Sequence, residues 1–216
     1  MYKTVFFDLD GTLTDSKMGI INGVIYALKK FNIEEKAENL LAFIGPPLYE
    51  SFIKYYNFTP EKSKMAVEFY REYFKDIGIF ENSLYNGVKE LLERLKKEGL
   101  TLVLATSKPE VFAFRVLDYF ELTKYFDYKF GATFSRERDS KEAVIKYALS
   151  KVNVNKSETI MVGDREHDIY GAKVNGLDSI GVLYGYGGVE ELTKEGATYL
   201  ANTVEEIFDI ITKKNG

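Results

Sequence analysis

Three short segments concentrate the side chains of this chain that can do chemistry: Asp8-Leu9-Asp10-Gly11-Thr12, Thr106-Ser107-Lys108-Pro109 and Gly163-Asp164-Arg165-Glu166-His167-Asp168. Each follows an apolar run rich in β-branched or aromatic residues, the pattern of a strand buried on both faces. In open parallel sheets, ligands bind beyond the carboxyl ends of the strands, so the three segments are expected to converge there. Burying Asp8, Asp10, Asp164 and Asp168 together is costly unless they are paired or hold a cation; Mg²⁺, a hard oxygen-seeking ion, suits them. Asp8 and Asp10 alternate along a strand end, and Gly11 lets the chain turn out of the sheet and bring the second acid round. Two acids in one site separate in pKa, so one can be an ionised nucleophile and the other a proton donor. Taken alone, Asp-x-Asp-Gly-Thr also fits a plain turn or a Ca²⁺-type loop.

Composition narrows the chemistry further. The chain has 216 residues, 45% hydrophobic and 29% charged, with a net charge of −4. Such a chain is an ordinary globular protein, and without a basic tract it is ill-suited to binding a nucleic acid polymer. It has no cysteine, which removes disulfides, thiolate metal sites and a Cys nucleophile. With one histidine, His167, mechanisms needing two are excluded as well. His167 itself reads as a bystander, because the carboxylates already provide a base. The apolar run near the N-terminus is too short for a secretory signal, and no apolar stretch reaches 18 residues, so a cytoplasmic location without membrane insertion is expected.

The elements that position these segments alternate. Strands are predicted over Thr4–Phe7, Leu100–Ala105, Thr159–Val162 and Ser179–Leu183. Val88, Leu91, Leu92 and Leu95 mark a helix stopping at Gly99, and Val144, Ile145, Ala148 and Leu149 mark another after the N-cap candidate Ser140. A last helix opens at Thr203-Val204-Glu205-Glu206. This is an α/β chain with a doubly wound parallel sheet. From 16 to 84 only helical patterns occur, with one stripe on Ile20, Ile21, Val24, Ala27, Leu28 and Phe31 and another on Met65, Phe69, Tyr70, Tyr73, Phe74 and Ile77. Most of the eleven aromatics between Tyr49 and Tyr85 are expected in that region's core, interrupted by the stiff Gly45-Pro46-Pro47-Leu48 loop. The predicted organisation is a core of residues 1–15 and 85–216 with a helical insertion at 16–84.

Asp8-Leu9-Asp10-Gly11-Thr12-Leu13-Thr14-Asp15 after an apolar strand resembles the first motif of the haloacid dehalogenase superfamily. Thr106, Lys141 and Gly163-Asp164 with Asp168 resemble its second, third and fourth motifs, in order. Gly45-Pro46-Pro47-Leu48 and Thr106-Ser107-Lys108-Pro109 are similar to its phosphoglycolate phosphatase-like branch, which includes enzymes named 5′-nucleotidase. The resemblance implies a Rossmann-like core with a helical cap at 16–84 and phosphoryl transfer in two steps. Asp8 is the implied nucleophile, and Asp10 the acid and then the base. Thr106 and Lys141 complete the implied catalytic set, and Gly11, Ser107 and Lys108 the substrate contacts. Mg²⁺ is the implied cofactor, held by Asp8, the Asp10 carbonyl and Asp164, with Asp168 close behind. Lys141 also breaks a local rule, since a cation in the first turn of a helix opposes the dipole; alone, it also fits a solvated lysine at a frayed start.

The expected activity is therefore hydrolysis of a small phosphate ester. A phosphomutase of the β-phosphoglucomutase kind shares Asp8 and Asp10, but the cap lacks the histidine it could use. Dehalogenases need neither Asp10 nor a metal. A non-catalytic binding relative would have lost a motif acid, and none is missing.

Overall fold

The computed structural model describes residues 2–134 and 138–213. It divides into two compact units, Met1–Thr14 with Leu84–Gly216, and Asp15–Ser83. In chain order, β1 (Thr4–Phe7) and the short β2 (Thr14–Asp15) lead into α1 (Lys17–Lys29), α2 (Leu48–Tyr56) and α3 (Pro60–Phe74), after which β3 (Ser83–Leu84) pairs with β2. The chain continues through α4 (Val88–Lys97), β4 (Thr101–Pro109), α5 (Glu110–Tyr119), β5 (Tyr128–Ala132), α6 (Lys141–Lys151) and β6 (Thr159–Gly163). It ends with α7 (Glu166–Asn175), β7 (Asp178–Val182), α8 (Val189–Glu195), β8 (Tyr199–Ala201) and α9 (Val204–Lys213).

The larger unit is a six-stranded sheet in the order β5-β4-β1-β6-β7-β8, parallel throughout, as the strand–helix alternation implies. Its centre is dry: Val5, Phe6 and Phe7 of β1, Leu102 to Ala105 of β4 and Ile160 to Val162 of β6 are fully buried. Helix α6 lays Val144, Ile145 and Ala148 on this core beside Phe6, Val103 and Met161. Gly99, at φ +79°, ends α4 in the left-handed conformation that the sequence pattern requires. At the other cap, Thr203 Oγ1 accepts the Glu206 N–H at 3.3 Å, whereas Glu206 turns to the N–H of Asn202 at 2.7 Å rather than to that of Thr203.

Further features depart from the sequence reading, among them strand β3, which puts Ser83–Leu84 into a stretch read as helical only. Strands β5 and β8 escape the sequence reading: both are edges of the sheet and half-exposed, β5 mixes Lys129 and Gly131 into its run, and β8 is only three residues long. Strand β4 continues past Ala105 to Pro109, with a register shift against β5 between Thr106 and Pro109. In the helical unit only Phe52, Phe58, Tyr70 and Phe74 of the eleven aromatics between Tyr49 and Tyr85 are buried, joined by Phe43 from outside that stretch, and Met65 and Ile77 of the second stripe are 47% and 53% exposed. Phe43–Phe52 and Phe52–Phe58 ring centroids lie 5.2 Å and 5.7 Å apart, so aromatic packing carries that core and leaves those two side chains outside it.

Candidate active site

The carboxyl ends of the adjacent strands β4, β1 and β6 bring the candidate residues together. Asp8 is the first residue beyond β1, and its N–H donates to the Val162 carbonyl at 2.9 Å, tying it to β6. Asp164 is the first residue beyond β6, and Thr106 lies within β4. Between Leu9 and Thr14 the chain folds into a tight turn: the Leu13 and Thr14 N–H groups both donate to the Leu9 carbonyl, at 2.9 Å and 3.0 Å. Gly11 stands in that turn at φ +85°, and a Cβ there would lie 2.2 Å from Asp164 Oδ2. Only glycine combines that backbone with so close an approach.

Lys141 opens α6, where Ser140 Oγ caps the helix by accepting the Ala143 N–H at 3.2 Å. Its ammonium is buried; it donates to Asp8 Oδ1 at 2.5 Å and to the Ala105 carbonyl at 3.0 Å, and it forms an ion pair with Asp168 Oδ1 at 2.8 Å. The lysine therefore enters the helix start as the counter-charge of two buried acids, which excludes the reading of a solvated side chain. Burial alone would lower its pKa, but the charges of Asp168 and Asp8 outweigh that and raise it. Asp168 sits in the first turn of α7, where its Oδ2 accepts the Arg165 N–H at 3.1 Å.

The acids feel the reverse balance. Burial pushes Asp8 up to about 6, with Lys141 opposing and Asp168 adding to the rise. Asp164 is raised well above the carboxylate range by burial and then by the charges of Asp168 and Asp8. Oxygens of Asp8, Asp164 and Asp168 all lie within 4.8 Å of one another, and all three residues are buried. Lys141 leaves this trio short of positive charge. A compact, all-carboxylate, buried donor set with that deficit fits a divalent cation of the hard, oxygen-seeking class.

Asp10 is held differently. Lys108 Nζ donates to its two oxygens at 2.8 Å and 3.1 Å, and the lysine side chain is only 6% exposed. Lys108 also donates its backbone N–H to Thr106 Oγ1 at 3.2 Å, so Thr106, Lys108 and Asp10 form one network beside Asp8. Ser107 between them is exposed, and so is His167 on α7.

Sequence reasoning missed the loop after β7. Tyr186 donates its N–H to Asp164 Oδ2 at 2.8 Å, and the Tyr184 hydroxyl donates to the Thr12 carbonyl at 2.8 Å. The signal was present: Tyr184-Gly185-Tyr186-Gly187-Gly188 is a glycine-rich run leaving the carboxyl end of a strand in the same sheet.

Comparisons with known proteins give the chain's family. The family model described as haloacid dehalogenase-like hydrolase matches residues 5–182. The chain is 40% identical over 199 residues to a 5′-nucleotidase of Pseudomonas aeruginosa, spanning 92% of this chain and 90% of that protein. It is 35% identical over 212 residues to the tyrosine-protein kinase PtkA of Mycobacterium tuberculosis, spanning 97% of this chain and 72% of that protein. The crystal structure of a predicted phosphatase from Clostridium acetobutylicum shares 48% identity and a TM-score of 0.93, covering 99% of each chain. Among the described residues, no helix is long and apolar enough to cross a membrane.

Proposed function

The chain belongs to the haloacid dehalogenase-like hydrolase family, and on that premise we propose that it is a Mg²⁺-dependent phosphatase of small phosphomonoesters that works through an aspartyl phosphate. The observation that carries the reading is the buried trio Asp8, Asp164 and Asp168 beyond the carboxyl ends of β1 and β6, with Asp8 and Asp168 paired to Lys141. Asp8, the Asp10 carbonyl and Asp164 would hold the Mg²⁺, with Asp168 adjoining. The bound ion would supply charge neutralisation between an anionic nucleophile and an anionic phosphate.

In the first step an Asp8 carboxylate oxygen forms a bond to phosphorus, the ester P–O bond breaks, and Asp10 gives its proton to the departing oxygen. In the second step Asp10 takes a proton from water. That water oxygen bonds to phosphorus, and the Asp8–phosphorus bond breaks to release inorganic phosphate. Lys141 keeps Asp8 oriented, and Thr106, with nearby N–H groups, donates to the phosphoryl oxygens. Lys108 faces Asp10 in the resting site. An arriving phosphate dianion would compete with Asp10 for that ammonium. Gly11 and Ser107 contribute close backbone approach to the phosphate, and residues 16–84 act as the cap that selects the leaving group.

The similarity to a 5′-nucleotidase puts nucleoside 5′-monophosphates first in a substrate panel, followed by phosphoglycolate. Phosphotyrosine belongs in the same panel, because the relative in Mycobacterium tuberculosis is a tyrosine-protein kinase. The founding test is phosphate release from p-nitrophenyl phosphate, with and without Mg²⁺, by the native protein and Asp8→Asn. Turnover that needs the ion and falls by at least about 10³-fold in the variant is expected. Turnover surviving in Asp8→Asn would overturn the nucleophile, and absent turnover would bring the phosphomutase reading forward.

A further inference from the structure

The Tyr184–Gly188 segment takes no part in the proposed chemistry, yet it is fastened to the carboxylate cluster at several points. The Tyr186 N–H reaches Asp164 Oδ2 directly. The Tyr184 hydroxyl donates to the Thr12 carbonyl at 2.8 Å, and the Thr12 hydroxyl donates to Asp164 Oδ1 at 3.3 Å. Both oxygens of Asp164 are therefore addressed from this side, one by the loop and one through Thr12. Beyond the loop, Glu191 Oε1 accepts from Arg165 Nε and from the Glu166 N–H, both at 2.8 Å, and so anchors the residues that follow Asp164.

Packing leaves these groups little room to relax. A Cβ on Gly185 would lie 2.4 Å from both Asp164 Cβ and the Gly11 carbonyl oxygen, so the loop backbone is pressed against the Asp8 turn and the end of β6 together. Thr12 and Asp164 are wholly buried. The Tyr184 ring rests on Tyr85 with centroids 4.8 Å apart, which fixes where its hydroxyl points. Burial raises the phenol's pKa, so it remains a donor.

We propose that Tyr184 is a positioning residue for the cation site: through Thr12, its hydroxyl sets the placement of the Asp8-bearing turn against Asp164 and thereby the site's affinity for a divalent cation. The inference deepens the metal-dependent reading above and rests on it. Groups that orient a ligand from behind commonly change metal affinity by 10- to 100-fold when removed. Tyr184 acts one bond further back, which places its effect at the lower end of that range.

The test uses the full chain stripped of metal, with Mg²⁺ alone as the probe in titration calorimetry and the metal-free melting temperature measured in parallel. Tyr184→Phe keeps the ring and its packing on Tyr85 and removes one hydroxyl; Thr12→Val removes the next link, and Thr12→Ser retains it. Tyr184→Phe is expected to weaken Mg²⁺ about tenfold, and Thr12→Ser to bind like the native chain. The double variant Tyr184→Phe/Thr12→Val is expected to be no weaker than the worse single variant, because both changes cut one series of bonds. A lowered melting temperature with unchanged Mg²⁺ affinity would make Tyr184 merely structural and overturn the proposal alone. Additive losses in the double variant would overturn the route through Thr12. Failure of the native chain to bind Mg²⁺ would overturn the metal reading and this inference with it.

Discussion

Replacing Lys141 with methionine keeps much of the side chain's length and removes the one ammonium that Asp8 and Asp168 share. The structure makes the loss calculable. Asp8 loses its donor at 2.5 Å, the Ala105 carbonyl loses its donor at 3.0 Å, and Asp168 loses its ion-pair partner at 2.8 Å. At pH 5.5 these lost bonds cost about 1–2 kcal/mol. A second contribution depends on pH. Burial has raised Asp8 to about 6 in the native chain, against about 3.9 unfolded. Asp8 is therefore protonated in the folded state over a range where the unfolded chain has ionised. Its stabilising share is complete below about pH 4 and disappears as pH climbs through 6. In Lys141→Met the ammonium that pulls this pKa down is gone, so the variant holds the proton to higher pH. Above pH 6 the variant therefore goes on losing stability relative to the native chain for as long as Asp8 keeps its proton, at up to about 1.4 kcal/mol per pH unit. The summed loss is expected to reach the range that removing one partner of a buried ion pair costs, about 3–5 kcal/mol. Urea unfolding of both chains with a chelator present, at pH 5.5, 7 and 8, measures it. A loss that stays flat across that range, or remains below about 1 kcal/mol at pH 8, would refute Lys141 as the counter-charge of Asp8 and Asp168.

Two other perturbations probe the same cluster. Gly11→Ala places a Cβ where Asp164 Oδ2 now lies 2.2 Å away, at a backbone φ of +85°. It is expected to cost about 1–3 kcal/mol in stability and to weaken Mg²⁺ binding; an alanine variant with native melting temperature and native Mg²⁺ affinity would count against this packing. For Asp8→Asn, the gap in unfolding free energy between the native chain and the variant is expected to move in the variant's favour by about 3 kcal/mol from pH 4 to pH 7. That follows because the raised Asp8 pKa, about 6, makes the native chain lose stability as the carboxyl ionises, and asparagine cannot. Denaturation curves across that range, taken without metal, would show a constant gap if Asp8 titrated alike in folded and unfolded chains.

What the residues disclosed in advance follows from burial. The four strands read from sequence lie in the middle of the sheet, β4, β1, β6 and β7, where both faces are covered and buried apolar side chains dominate each strand's centre. The two that escaped are its edges: Tyr128-Lys129-Phe130-Gly131-Ala132 mixes charge and glycine into a half-exposed strand, and Tyr199-Leu200-Ala201 is three residues long. Site residues divide the same way. Asp8, Thr106 and Asp164 sit at or just beyond the ends of recognisable strands, so position alone singled them out. Lys141 drew notice by opposing the dipole of its own helix, and its buried partners Asp8 and Asp168 supply the reason. The Lys108–Asp10 pair was not legible, because 98 residues separate the two and nothing local distinguishes a buried lysine from a solvated one. Tyr184 is the harder case. Its role depends on one hydroxyl meeting one backbone carbonyl 172 positions away, a relation that exists only once β7 lies beside β6, and β6 beside β1. Strand ends declare the groups poised for chemistry, while the groups that hold them in place are set by neighbour relations in the sheet, which no local pattern encodes.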